Sequence, residues 1–81
     1  MKVTARFLAV PPGALPTTRM EVEVPQGTSV GELIRVLAED YPVLRAYTRF
    51  VSASLNRAYV GMQTELREGD EVLYSPPVGG G

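Results

Sequence analysis

Cysteine and histidine are both absent from this chain of 81 residues. Without them the chain can form no disulfide and offers no thiolate or imidazole ligand to zinc or an iron–sulfur cluster. It also has neither a cysteine nucleophile nor an imidazole acid or base. Few enzyme mechanisms work with the side chains that remain. The sequence therefore predicts a protein that holds no metal and is not catalytic alone.

The chain also lacks a large excess of either positive or negative charge, and it has no long apolar run. Eight basic residues against nine acidic ones give a net charge of -1, whereas a general nucleic-acid binder needs a clustered positive field. No run approaches the roughly 18 apolar residues of a membrane-spanning helix, and the alternating N-terminus is not typical of a signal peptide. We therefore expect a cytoplasmic protein that binds neither nucleic acid nor a membrane.

Hydrophobic periodicity predicts one small domain over residues 1–75, followed by a projecting tail over residues 76–81. Alternation indicates strands over 2–8 and 20–24, joined as a loose hairpin. Apolar residues at i, i+3, i+4 and i+7 predict a helix from 29 to about 39, with a capping box of Ser29 and Glu32. Two short strands at 50–55 and 58–60 and a last strand at 71–75 follow. This order predicts an α+β fold, the ubiquitin-like β-grasp, in which one main helix packs across a mixed sheet.

The tail is the candidate functional segment, and its residues are Pro76, Pro77, Val78, Gly79, Gly80 and Gly81. The prolines favour an extended exit because their φ is fixed and they lack a backbone N–H. Glycine has no Cβ, so the last three residues could thread a channel too narrow for side chains. We expect the tail to bring the Gly81 carboxylate to the catalytic groups of another protein, although terminal glycines are also compatible with a frayed end.

Two charged groups are weaker candidates. The acidic residues Glu68, Asp70 and Glu71 lack a partner ligand for a metal, so we interpret them as solvated charges at a turn and a strand edge. A second group could bind an acidic partner surface, but we favour the interpretation of its members as simple solvated charges. Its members are Arg45, Arg49 and Arg57.

Gly-Asp-Glu-Val at residues 69–72, taken together with the tail, resembles the MoaD family, the small sulfur-carrier subunits of molybdopterin synthase. The resemblance covers nearly the whole chain, from the first strand through Tyr41-Pro42 to the end. Two positions depart from the family's pattern: Gly79 precedes the Gly-Gly pair, and Ser75 replaces a bulky apolar residue. Carriers of the ThiS family share the fold and a Gly-rich end, but they are usually shorter and lack the Pro-Pro pair.

The resemblance implies a sulfur carrier in molybdenum cofactor biosynthesis. An E1-like, MoeB-like enzyme would use ATP to adenylate Gly81, and sulfur would displace AMP to leave a thiocarboxylate. A large, MoaE-like synthase subunit would hold cyclic pyranopterin monophosphate, which the thiocarboxylate converts to molybdopterin. The chain would bind no cofactor itself.

Strand alternation places Leu8, Leu73 and Ser75 on the outer face beside the tail, so we predict that they contact the partner. A register error of one residue would exchange this set for one that includes Val72 and Tyr74. Three alternatives for the function remain open. They are a sulfur carrier for thiamin, thiolated tRNA or cysteine synthesis, a ubiquitin-like modifier joined to lysines through its C-terminus, and a plain β-grasp interaction module.

Overall fold

The computed structural model describes residues 1–8, 13, 15–47 and 52–75. Its elements in chain order are β1 (Lys2–Phe7), β2 (Arg19–Glu23), α1 (Val30–Asp40), a 3-10 helix (Pro42–Tyr47), β3 (Ser52–Leu55), β4 (Ala58–Val60) and β5 (Glu71–Ser75). Each predicted strand and the predicted helix are present, with ends that differ by one or two residues. The 3-10 helix was not predicted. Residues 50 and 51 of the predicted third strand lie outside the described residues.

The five strands form one sheet in the order β2-β1-β5-β3-β4. β1 pairs antiparallel with β2 and parallel with β5, so the first and last strands are neighbours at the centre. β3 pairs antiparallel with both β5 and β4. A parallel pair needs a long crossover connection, which here includes α1. The prediction of a mixed sheet with one helix packed on it is confirmed.

Helix α1 begins where the sequence predicts. Ser29 Oγ accepts a hydrogen bond of 3.2 Å from the Glu32 backbone N–H, and Glu32 Oε1 accepts one of 3.0 Å from the Ser29 N–H. This reciprocal capping box satisfies two backbone donors that have no partner within the helix. At the other end Tyr41 caps the helix immediately before Pro42, because a residue that precedes proline avoids the helical conformation.

The apolar stripe of α1 packs against one face of the sheet and forms the core. Its buried residues include the four predicted from the helical period, Val30, Leu33, Ile34 and Leu37. The sheet contributes the inward side chains Val3, Ala5, Phe7, Met20, Ala53, Val72 and Tyr74. Leu44 in the 3-10 helix and Leu66 before β5 close the edges of this core, and both are buried although neither belongs to a periodic pattern.

The β3–β4 turn places two residues in the left-handed region, with φ of 53° at Asn56 and 70° at Arg57. Two positive φ angles are what a two-residue hairpin of type I′ requires, since its twist matches that of the strands. Asn tolerates this conformation, whereas Arg adopts it at an energetic cost. The two residues between the predicted strands at 50–55 and 58–60 therefore form a tight turn.

Candidate functional site

The six tail residues Pro76, Pro77, Val78, Gly79, Gly80 and Gly81 lie outside the described residues, so their predicted roles and the domain boundary stay predictions. The structure describes the strand that leads into them. β5 lies between β1 and β3, and its last residue, Ser75, is paired with Ser52. The Leu8 N–H donates a hydrogen bond of 2.9 Å to the Tyr74 carbonyl. The tail therefore begins at a central strand that is hydrogen-bonded on both sides.

Tyr74 holds the end of β5 in the core. Its side chain is 1% exposed, and its ring stacks on Phe7 with the centroids 5.5 Å apart and the planes at 16°. The hydroxyl donates a hydrogen bond of 2.7 Å to the Val30 carbonyl in the first turn of α1. Burial raises the pKa of Tyr74 above its usual range, so the hydroxyl stays a neutral donor. Two residues before Pro76, the chain is thus fixed to both the helix and β1.

The register of β5 agrees with the sequence prediction. Val72 and Tyr74 are buried, whereas Leu73 and Ser75 are half-buried on the opposite face. Leu8, directly after β1, is 48% exposed. The structure thus places all three predicted interface residues outside the core, near the start of the tail. No partner is present, so their contact with one stays a prediction.

One row of side chains crosses the outer face of the sheet. Arg6 is the direct cross-strand neighbour of Arg19 and of Leu73, and Ser54 is the neighbour of Leu73 and of Tyr59. Tyr59 is 74% exposed. Leu73 therefore lies between arginines on one side and a serine and an exposed tyrosine on the other. The sequence could not place Tyr59 in this row, because β4 has only three residues and shows no clear period.

The charges on this part of the molecule have structural partners. Glu71 lies 3.6 Å from Arg6 and 3.4 Å from Arg19, in exposed ion pairs that contribute about 0–1 kcal/mol each. Glu68 accepts a hydrogen bond from the backbone N–H of Lys2, and Asp70 accepts one from that of Arg67. These contacts agree with the interpretation of the acidic cluster as turn and strand-edge residues.

Neither a metal site nor a membrane span is found in the part of the chain that the structure describes. It contains no group of three or more acidic side chains placed to hold a metal ion. None of its helices has the length and apolar character needed to cross a bilayer. Of the weak basic group, Arg45 lies in the 3-10 helix and Arg57 in the β3–β4 turn, while Arg49 is outside the described residues.

The fold defines the general class of this protein. A helix on a five-stranded mixed sheet, with the first and last strands paired at its centre, is the ubiquitin-like β-grasp. The chain belongs to the ThiS family, which matches residues 12–81. The match extends over the tail as well as most of the domain. Together with a relative of 43% identity, a molybdopterin synthase sulfur carrier subunit, it confirms the resemblance to the MoaD family that was expected from the sequence.

Individual relatives agree with this assignment. The chain is 43% identical over 65 residues to the molybdopterin synthase sulfur carrier subunit of Mycobacterium tuberculosis, a match that covers 80% of this chain and 78% of the relative. A Pyrococcus furiosus protein described as a candidate subunit 1 of molybdopterin converting factor superposes with a TM-score of 0.80 at 27% identity, covering 96% of this chain and 99% of its own.

A solved complex of subunits 1 and 2 of molybdopterin-converting factor from Helicobacter pylori also contains this fold. The superposition has a TM-score of 0.67 at 24% identity and covers 100% of both chains. At this level of identity the likeness shows the fold alone.

Proposed function

We propose that this chain is the sulfur carrier subunit of molybdopterin synthase and that the carboxylate of Gly81 is its working group. The observation that carries the proposal is the 43% identity to the sulfur carrier subunit of Mycobacterium tuberculosis over most of both chains. The Gly-Gly end supports it, because a tip without side chains is suited to entering the active site of another protein. The absence of cysteine and histidine fits a carrier that leaves catalysis to its partners.

The chemistry starts from the carboxylate, which is a poor electrophile. An E1-like activating enzyme joins it to the α-phosphate of ATP and releases pyrophosphate, so that Gly81 becomes an acyl-adenylate with AMP as its leaving group. A sulfur nucleophile then attacks the carbonyl carbon, the bond to AMP breaks, and a thiocarboxylate remains. The activating enzyme binds the ATP, since no nucleotide motif occurs in this chain.

The thiocarboxylate is the nucleophile of the next step. Its sulfur attacks an activated carbon of cyclic pyranopterin monophosphate, which a large, MoaE-like subunit holds, and an oxygen leaving group departs from that carbon. Water then cleaves the acyl–sulfur bond, which leaves the sulfur on the substrate and returns the Gly81 carboxylate, and two such transfers supply the sulfurs of molybdopterin. This division of labour, with the nucleophile on one chain and the pocket on another, explains why the carrier needs no acid–base pair. Because activation consumes ATP, we also propose a cytoplasmic location.

The outer face of the sheet is the proposed surface for the large subunit. Leu8, Leu73 and Ser75 lie outside the core next to the start of the tail, so a partner seated there would receive the glycines in its active site. The relative from Mycobacterium tuberculosis is named a subunit of molybdopterin synthase, which supports a second synthase subunit as the partner. The glycines offer little apolar area, so most of the binding energy must come from this face.

Mass spectrometry of the protein isolated from its native cells tests the proposal. We expect a fraction of the molecules to gain the mass difference between sulfur and oxygen, located in the C-terminal peptide. Gly81 joined to lysines of other proteins would instead indicate a modifier. If the thiocarboxylate is found but the immobilised carrier retains no large synthase subunit, the protein serves a different sulfur-transfer pathway.

A further inference from the structure

The chain contains very few amines that could attack an activated acyl carbon. Seven of its eight basic residues are arginines, and Lys2 is the single lysine. A guanidinium stays protonated and is not acylated at neutral pH. With no cysteine and no histidine present, the amines left are the Lys2 side chain and the α-amino group of Met1. This shortage matters for a protein whose own C-terminus becomes an acyl-adenylate, and the inference below rests on that proposed function.

The α-amino group of Met1 is already engaged. It donates a hydrogen bond of 2.7 Å to the Val24 carbonyl and lies 3.9 Å from a carboxylate oxygen of Glu23. The Met1 side chain is 3% exposed and packs against the core. Acylation of this amine would remove its charge and its ion pair at a position held by packing. The fold therefore protects Met1 from reaction.

Lys2, in contrast to Met1, is exposed to solvent. Its backbone is held by two hydrogen bonds, one of 3.0 Å from its N–H to Glu68 and one of 2.8 Å from the Gly69 N–H to its carbonyl. The residue as a whole is exposed at the start of β1. Its ammonium makes no ion pair with any described residue. A fixed backbone with an exposed amine is a suitable acceptor for an incoming acyl group.

The sheet separates Lys2 from the chain's own tail. β1 and β5 are parallel, so Lys2 lies at the beginning of one strand while the tail follows the end of the other, level with Leu8. Six strand positions at about 3.3 Å each make this distance roughly 20 Å. The six residues 76–81 span at most roughly 20 Å when fully extended. Even with the reach of the Lys2 side chain, ring closure would need a largely extended tail turned back over the sheet, against the exit favoured by the two prolines.

We propose that Lys2 is the acylation site through which one copy of this chain accepts the activated Gly81 of a second copy. The unprotonated Lys2 amine attacks the acyl-adenylate carbon, the bond to AMP breaks, and the amine loses a proton to water as an isopeptide bond forms. The product is linear and intermolecular. Amine and sulfur compete for the same acyl-adenylate, so the adduct forms when the sulfur source is withheld.

Incubation of the full-length chain with its activating enzyme, ATP and Mg²⁺, without a sulfur donor, tests this proposal. We expect a covalent dimer on a denaturing gel. After trypsin, residues 68–81 should be attached to Lys2, at which cleavage fails. The Lys2→Arg variant keeps the charge and should lose the dimer, while its ATP–pyrophosphate exchange and circular dichroism stay unchanged.

The other outcomes are equally decisive. A branch at the Met1 amine, a dimer that persists in Lys2→Arg, a circular monomer, or exchange without any adduct would overturn the assignment of Lys2 while leaving the carrier function intact. A lack of exchange by the wild-type chain would overturn the proposed function and this inference with it.

Discussion

The hydroxyl of Tyr74 donates a hydrogen bond of 2.7 Å to the carbonyl oxygen of Val30, which joins the last strand to the first turn of the helix. The two residues are separated by 44 positions in sequence, and Tyr74 is two residues from the start of the tail. The contact fixes the base of a segment whose proposed work is done in another protein. A rigid base reduces the entropy lost when a tail is held in a partner's site.

Replacing Tyr74 with Phe should lower the free energy of unfolding by about 1 kcal/mol without changing the fold, because it removes one buried hydrogen bond and keeps the ring. Urea denaturation followed by circular dichroism measures this loss. The control is Tyr59→Phe, which removes a hydroxyl from a side chain that is mostly exposed and should leave stability unchanged. Equal stabilities for the two variants would show that the Tyr74 bond contributes nothing.

The two faces of β5 predict opposite effects for the same substitution at neighbouring positions. Val72→Glu should unfold the domain, because it places an unpaired charge in the core. Leu73→Glu should keep the fold and weaken binding to the large subunit, with a cost of about 2 kcal/mol or more if Leu73 is an anchor. Circular dichroism and titration against the large subunit separate these results. A folded Leu73→Glu variant that binds normally would show that Leu73 is not part of the interface.

The helix cap predicts a pH dependence. The pKa of the Glu32 carboxyl is lowered from its ordinary value of 4.5, first by the hydrogen bond from the Ser29 backbone and then by the Ser29 side chain. A lowered folded-state pKa means that the charged carboxylate stabilises the fold above about pH 4.5 and that this contribution is lost as pH falls through the folded-state value. In urea denaturation Glu32→Gln should therefore be less stable than wild type at neutral pH, with the difference shrinking in acid. A difference that does not change with pH would contradict the assigned role of the charge.

The parts of the fold that the sequence could predict are those with a local sequence pattern, the helix and the strands. The helix follows from its period and from a capping box that spans four residues, and the strands follow from alternation. The parallel neighbours β1 and β5 pair residues more than 60 positions apart, which no local pattern encodes. The 3-10 helix was missed for the same reason, because Leu44 is an isolated apolar residue whose burial depends on the core around it.

The candidate site was likewise only partly predictable from the sequence. The tail is a sequence motif, so the sequence alone could predict it. Leu73 was found because β5 is long enough to show alternation. The row that joins it to Arg6 and Tyr59 depends on the register of four strands, and that register is set by tertiary packing.

A tail that threads a narrow channel should not tolerate a bulky side chain near its end. Gly80→Val should block adenylation although the terminal carboxylate is retained, because a β-branched residue widens the tail and restricts its backbone. ATP–pyrophosphate exchange with the cognate activating enzyme measures this step. Val78→Ala, which makes the tail narrower, is the matched control and should exchange normally. Normal exchange by Gly80→Val would mean that the enzyme does not enclose the tip closely.

Sulfur transfer by the chain with and without Gly81 is the measurement that tests the central claim most directly. Both forms are treated with the activating enzyme, ATP and a sulfur donor, and then mixed with the large subunit and cyclic pyranopterin monophosphate. We predict that only the full chain yields molybdopterin, while thermal unfolding is nearly the same for both forms because an exposed end contributes little to folding. Molybdopterin formed by the chain that lacks Gly81 would contradict the account.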